Sequence, residues 1–483
     1  MNYGQFLNMI PEATLVAALI IVFIADFALV KSEKKHSSLA MLTGLLLIAQ
    51  TAVCALACEP AEAFAGMYVT TEATAAMKVI LTAGTLIVCI MAQTWLEKHR
   101  YEGEFYMLVL STLLGMYCMM SAGHFLLFFL GLEMASVPVA CLVAMDKWKQ
   151  QSAEAGAKYI LTATFSSGVM LFGISLIYAG TGTLYFNDAA RALQMISMHT
   201  YYAPVLMIAG LVFFFSGLGF KLSLVPFHFW TADTYQGAPT AVTGYLSVIS
   251  KGAAAFTLCA ILMKVFGSMT DYWEYLLYVT IVLSITIANL FAIRQSELKR
   301  FMAFSSISQA GYIMLAVVGN SAMGVTALMY YTLVYVVANL AVFTVISVVE
   351  NNNGGTTQMD SYNGFYQTNP RLAFLMTLAL FSLAGIPPFA GMFSKFFVFM
   401  AAAQEGSAAA YIVVFIALIN TVVSLYYYLL IVKAMYIKKT ETPLPAFKSD
   451  CNTRFALAIC TAGIVLFGVC SCVYGWLSAA AGL

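Results

Sequence analysis

Glu133, Lys221, Lys251 and Lys395 each stand inside a stretch otherwise built of apolar residues: HFLLFFLGLEMASVPVACLVAM, GFKLSLVPFHFW, YLSVISKGAAAF and AGIPPFAGMFSKFFVF. An ionisable group at mid-bilayer costs about 2.5–3.5 kcal/mol on insertion scales, so four in one chain call for a reason. Hydrocarbon burial disfavours the charged form of both amine and carboxyl, and a nearby opposite charge restores it. Moving one partner toward or away from the other therefore loads or releases a proton, which is the chemistry of a proton relay. The plainer alternative is a buried Glu–Lys pair that holds helices together. Three lysines against one glutamate leave cations unmatched, and an uncompensated buried charge is expensive; the set favours the relay.

Two of these lysines lie beside prolines. Lys221 is five residues before Pro226, and Lys395 is seven after Pro388, in a Pro387–Pro388 pair flanked by Gly385 and Gly391. Proline lacks the N–H a helix needs and pushes on the preceding turn. Broken backbone at membrane depth is tolerated only where protein or a wet cavity surrounds it, and broken helices next to ionisable groups are a feature of transport proteins, often with inverted repeats.

The elements that must position these groups follow from composition. The chain has 483 residues, is 62% hydrophobic and only 9% charged, with a formal net charge of +1; this is the balance of a polytopic membrane protein, and it leaves no basis for nucleic-acid binding. A bilayer crossing takes about 20 apolar residues. Fourteen runs qualify: 13–30, 38–57, 77–96, 105–122, 124–145, 157–180, 203–229, 240–265, 275–294, 302–320, 323–349, 371–402, 410–436 and 455–478. The expected fold is an all-α polytopic bundle of about 14 transmembrane helices, with helices 7 and 12 broken. Because the two breaks are five helices apart, helices 4–8 (105–265) and 9–13 (266–436) are expected to form two inverted five-helix repeats. Residues 1–104 then carry an N-terminal three-helix segment, and 437–483 a loop and helix 14. The first run has no basic flank or cleavage site and is expected to be a retained helix. The polar stretches 181–202, 350–370 and 437–454 are expected to be loops.

Cations set the orientation. Of the 23 Lys and Arg, three lie inside runs and three more (Lys78, Arg191, Lys264) fall on one side. The other seventeen fall on the opposite side, most of them in KSEKKH, EKHR, DKWK, RQSELKR and KKTETPLPAFKSDCNTR. The positive-inside rule makes that side cytoplasmic and places both termini on the outer face. Arg294 and Arg300 read as topology signals. His228, near the cytoplasmic end of the seventh run, titrates near neutrality and can pass protons inward. Lys158, with Glu154 in SAEAGAKYI, either snorkels to the interface or feeds protons in, and Asp233 orders the short loop between helices 7 and 8. The ten cysteines show no metal spacing, and no nucleotide-binding motif is present. The chain itself is expected to bind no cofactor.

The block GFKLSLVPFHFWTADTYQGAPTAV, with FLGLEMASVPV, SAEAGAKYIL, KRFMAFSSISQAGY and FSLAGIPPFAGMFSKF in the same order, resembles the antiporter-like subunit N family of the proton-pumping NADH:quinone oxidoreductase, respiratory complex I. The resemblance runs from about residue 100 to 435. It implies that Glu133 is the helix-5 carboxylate paired with Lys221 on helix 7. By the same resemblance Lys251 is the connecting lysine of helix 8, Lys395 the helix-12 lysine facing the outer exit, Lys158 an auxiliary helix-6 lysine and His228 a member of the polar chain. Many members carry His where this chain has Gln309, which cannot titrate. The resemblance also implies neighbouring membrane and peripheral subunits as partners, with NAD, FMN, iron–sulfur clusters and quinone held by them. Two alternatives remain at this stage: an independent cation/proton antiporter subunit, and a structural membrane anchor.

Overall fold

With no water in the hydrocarbon to satisfy peptide groups, each crossing must close its hydrogen bonds within its own segment, and helices take up nearly all of this chain. The computed structural model describes residues 3–31, 35–99, 101–199, 203–440, 443–447 and 449–482. Lys34, Arg100 and Lys448, cations used above for orientation, lie outside them.

The first half comprises α1 (Ile10–Ala28), α2 (Lys35–Leu56), a hairpin of β1 (Ala61–Ala63) and β2 (Tyr68–Thr70), α3 (Glu72–His99), α4 (Glu102–Met120), α5 (Phe125–Val143), α6 (Gln150–Thr181), α7 (Phe186–His199), α8 (Ala203–Leu222) and α9 (Phe229–Gly237). It continues with α10 (Thr240–Tyr245), a π-helical turn Leu246–Ser250, and α11 (Lys251–Lys264). The second half comprises α12 (Thr270–Ile293), α13 (Leu298–Val318), α14 (Ala322–Asn352), the short α15 (Phe365–Thr368), α16 (Pro370–Ala384), α17 (Ala390–Ala403), α18 (Ala408–Tyr436), α19 (Cys451–Val469) and α20 (Ser471–Ala480).

Among the described residues, thirteen helical segments are long and apolar enough to cross a bilayer, and the shorter apolar α16 and α17 divide the twelfth run between them. All fourteen apolar runs are therefore helical. The tenth and eleventh spans, α13 and α14, are enclosed by protein almost throughout, whereas α1 and α18 leave most of their apolar surface facing outward. Close approach between spans relies on small residues, as is usual in membranes. A Cβ on Gly115 of α4 would sit 2.4 Å from Ala135 N of α5.

Both proline breaks are real interruptions. α8 stops at Leu222, Ser223 takes a positive φ of 63°, the Val225–Pro226 bond is cis, and helix resumes at Phe229. The freed groups find partners: Val225 N donates to Ser284 Oγ at 2.9 Å, and Trp230 Nε1 donates to Phe220 O at 3.0 Å. α16 ends at Gly385, with φ of 89°, before a cis Pro387–Pro388 bond, and α17 starts at Ala390. Gly391 is obligatory there, because a Cβ would fall 1.6 Å from Ser382 O.

One expectation about loops needs correction. The stretch 181–202 is not a plain polar loop: it contains α7, whose Phe186, Ala189 and Leu193 are buried while Asp188 and Arg191 stay exposed. That spacing is the apolar stripe of an amphipathic helix lying on the bundle. The connection between the second and third spans folds into the β1–β2 hairpin, with Ala61 opposite Thr70.

Candidate functional site

The three intramembrane lysines are 4%, 1% and 4% exposed for Lys221, Lys251 and Lys395. Their ammonium groups are thus enclosed by protein and do not reach the lipid or the headgroups. Each reaches its position because a helix breaks or widens next to it: Lys221 is the penultimate residue of α8, Lys251 directly follows the π-turn, and Lys395 lies in the second turn of α17.

Lys221 Nζ donates to Ser136 Oγ at 2.8 Å, with Ala135 O and Tyr159 OH each at 3.4 Å. Glu133 and Lys221 are not in direct contact, although the carboxylate is near enough for its charge to act on the amine. Among the described residues no ion pair joins them, and the buried Oε1 of Glu133 has no hydrogen-bond partner. Ser136, three residues further along α5, takes the position a paired carboxylate would hold. A neutral hydroxyl demands less of its surroundings than a second buried charge, whose desolvation competes with the attraction.

Lys251 Nζ donates to Ser306 Oγ at 2.7 Å and lies 5.6 Å from the centre of the Tyr235 ring. The same Ser306 Oγ is 3.3 Å from Tyr235 OH and donates to Ser247 O at 3.5 Å. Ser247 belongs to the π-turn; such a turn opens the regular ladder and frees carbonyls for other partners. Asn339 Nδ2 donates to Ser247 Oγ at 2.8 Å. One residue before Ser306, Ser305 Oγ is 2.5 Å from Tyr428 OH. Gln309 Nε2 donates to Tyr428 OH at 3.2 Å and Leu383 O at 3.3 Å, and Tyr331 OH donates to Gln309 Oε1. Lys395 Nζ donates to Ala384 O at 2.9 Å, the last carbonyl of α16, and sits 5.0 Å from the Tyr312 ring centre. A cavity of about 10 Å³, lined by Gln309, Tyr331, Ser382, Ser394 and Lys395 among others, separates the two groups. It is roughly the size of one water probe. Polar groups thus surround each of the three lysines, and Ser305, Tyr428 and Gln309 lead from the Lys251 site toward Lys395.

Of the auxiliary residues, Lys158 lies apart from these groups, whereas His228 is near enough to Lys251 to feel its charge. Lys158 Nζ is 2.7 Å from both Glu154 Oε1 and Asp233 Oδ2, and it is partly exposed. Arg300 is more than a topology signal: its Nη1 is 2.6 Å from Asp233 Oδ1 and 3.0 Å from Gln236 Oε1. Asp233 therefore orders the connection as expected, as the hub of a Lys158–Asp233–Arg300 cluster. Burial alone would raise its carboxyl, but the hydrogen bonds from Lys158 and Arg300 outweigh this and hold it below the usual carboxylate range. His228 stacks on Phe229 with ring centres 4.7 Å apart, and its buried Nδ1 has no partner.

Lys78 is a second correction. It is fully buried in α3 and pairs with Glu12 Oε1 of α1 at 2.7 Å, while Tyr68 OH donates to Glu12 Oε2 at 2.8 Å. Both charges fall at the ends of apolar runs, where a cation is ordinarily interfacial, so span reading passes over them. Ser136, Tyr159, Tyr235, Ser306, Tyr331 and Tyr428 were likewise missed, because Ser and Tyr are common in membrane helices and carry no charge to mark them.

A bundle of this kind, broken in its seventh and twelfth spans beside buried lysines, defines the antiporter-like class of membrane subunit. Residues 122–424 match the family profile described as NADH:quinone oxidoreductase/Mrp antiporter, TM. The chain is 57% identical over 481 residues to NADH-quinone oxidoreductase subunit N of Phocaeicola vulgatus, covering 99% of each, and 49% identical to that of Azobacteroides pseudotrichonymphae, covering 99% and 98%. It belongs to the NADH-quinone oxidoreductase subunit N family. Among solved structures it resembles a chain of respiratory complex I from Thermus thermophilus with bound aureothin, at TM-score 0.75 and 29% identity over 94% of this chain and 97% of that one. A chain of the Mrp complex from Dietzia shares the fold at TM-score 0.84 and 20% identity, over 100% and 97%. The chain is thus a multi-pass membrane subunit of respiratory complex I, working with other subunits.

Proposed function

We propose that this subunit carries protons outward along Glu133, Lys221, Lys251 and Lys395, driven by redox chemistry in its partner subunits. The observation that supports it best is the row of three enclosed lysines, each donating to a neutral oxygen with no carboxylate in contact. A lysine so placed gains or loses its proton according to small changes around it. Lys221 lies on Ser136, one turn from a Glu133 oxygen that has no partner. Swinging the amine from the hydroxyl to the carboxylate is the switching step.

The energies are commensurate. Moving one charge across 100 mV costs about 2.3 kcal/mol. An ion contact at 4 Å is worth about 4 kcal/mol at an effective dielectric of 20, so making or breaking one contact is enough. Ser306 holds Lys251, and the adjacent Ser305 reaches the Gln309 region through Tyr428. Gln309 does not titrate, and it positions a water between Tyr331 and Lys395. Lys158 with Asp233, and His228, serve proton input from the cytoplasmic side. In this reading the two five-helix units 105–265 and 266–436 are inverted repeats, and both termini lie outside the inner membrane of a bacterium. NAD, FMN, iron–sulfur clusters and quinone are held by partner subunits.

The test is replacement of Glu133 or Lys221 by alanine in the assembled enzyme, with proton uptake measured per NADH oxidised. The ratio should fall while the subunit stays in the complex. An unchanged ratio with normal assembly refutes the relay.

A further inference from the structure

A groove of ligand-binding size lies away from the lysine row. It has a volume of about 620 Å³ and opens between the starts of α16 and α19, within the range of small-ligand sites. Its depth is apolar, walled by Leu372, Leu375, Leu457 and Ala462. Its mouth carries Arg371, in the first turn of α16, and Arg454, in the first turn of α19. These are the only charged residues lining it among the described residues.

Neither guanidinium is matched by an acid. Among the described residues Arg371 makes no ion pair, and Arg454 Nε donates only to a backbone oxygen, Asp450 O, at 3.3 Å. The nearby Asp450 carboxylate is occupied in capping α19, accepting from Thr453 N at 3.2 Å and Thr453 Oγ1 at 2.5 Å. The rim is also held in shape. Asn369 Nδ2 donates to Pro445 O and Asn369 Oδ1 accepts from Phe447 N, both at 3.1 Å, which fixes the 443–447 strand against the start of α16.

We propose that this groove binds an anionic phospholipid, with the headgroup phosphate between Arg371 and Arg454 and an acyl chain along Leu372, Leu375 and Leu457. Two guanidiniums suit phosphate oxygens, which they engage in bidentate fashion. The two helix starts add positive potential to the same spot. Among the described residues no carboxylate lines the groove, which disfavours a zwitterionic headgroup, whose ammonium would find no partner there. The mouth is on the membrane face that carries Lys438 and Lys439, the cation-rich side, and basic pockets between spans on that side select anionic headgroups. An acyl chain extends naturally from such a mouth along the apolar walls below it, whereas a water-soluble anion would leave those walls uncovered.

The experiment uses the whole complex, purified in mild detergent and washed to remove loose lipid, with phospholipids counted per complex by mass spectrometry. The unmodified complex should retain anionic phospholipid. Arg371→Gln/Arg454→Gln should lose about one anionic molecule per complex and leave the zwitterionic count unchanged. Ala462→Trp, which fills the groove without touching either charge, should lose the same molecule, and it decides the matter if the double variant does not assemble. An unmodified complex without tightly held anionic lipid overturns the proposal. So does an unchanged count in the variants, or a neighbouring subunit released from them in place of lipid, which would assign the groove to a protein contact.

Discussion

The two broken spans solve the same problem differently. In the seventh, the lysine precedes the break and its amine crosses to two neighbouring helices, where Ser136 of α5 and Tyr159 of α6 receive it one turn from Glu133. In the twelfth, the lysine follows the break, and its amine folds back on the last carbonyl of its own span, Ala384 O, over the Tyr312 ring. The first amine depends on how α5 and α8 sit relative to each other, so a movement between helices can change its partner. The second depends on a helix C-terminus, whose partial negative charge is fixed by the backbone. In the proposed relay the first break is the one perturbed and the second the one that receives, with Lys251, held by Ser306 of α13, as the step between them.

The comparison breaks most severely at Gly391. A Cβ there would overlap Ser382 O at 1.6 Å, so Gly391→Ala should force the two halves of the twelfth span apart and remove most of the subunit from the purified complex. Gly385→Ala, at a φ of 89° with Lys395 Cδ 3.0 Å from the would-be Cβ, should cost about 1 kcal/mol or more from left-handed backbone alone and slow pumping more than assembly. Ser136→Ala removes one hydrogen bond to a charged group, worth about 1.5–3 kcal/mol. It should alter pumping by roughly tenfold or more while leaving Lys395-side variants unaffected; equal sensitivity to Ser136→Ala and to Tyr312→Phe would erase the distinction between the two breaks.

The smallest effect belongs to the surface cluster. Asp233→Asn should lower thermal stability by about 1 kcal/mol or less, because its partners are partly exposed and screened by solvent. Its carboxyl is held below the usual range, so its contribution is complete above the unfolded value of about 3.9 and is lost only as pH falls through the lower folded value. The difference between Asp233→Asn and the unmodified chain should therefore be the same at pH 6 and pH 8. A difference that grows between those two values contradicts the assignment.

Much of this was legible in the sequence because hydrocarbon is an exacting solvent. Each crossing needs a long apolar run, so all fourteen announced themselves, and a charge or a proline inside one stands out, as with Lys221 and Pro226 or Lys395 and Pro388. What the sequence did not carry is register between helices. Nothing in FLGLEMASVPV says that Ser136 rather than Glu133 meets Lys221, since both lie within one turn and the choice depends on how α5 is rotated. The π-turn before Lys251 left no mark either, because LSVIS is unremarkable as helix. Lys78 and Glu12 were hidden by position, since a charge near a run's end looks interfacial until the β1–β2 hairpin brings Tyr68 over it. The α7 stripe of Phe186, Ala189 and Leu193 was readable, but it is too short for a span and so passed as loop.

The central claim is that protons cross between the two breaks through Lys251. The most direct measurement is the number of protons translocated per NADH oxidised by the assembled complex in sealed vesicles, comparing Lys251→Met with the unmodified enzyme. The relay predicts a lower ratio with this subunit present in full amount. An unchanged ratio in fully assembled complex would contradict it.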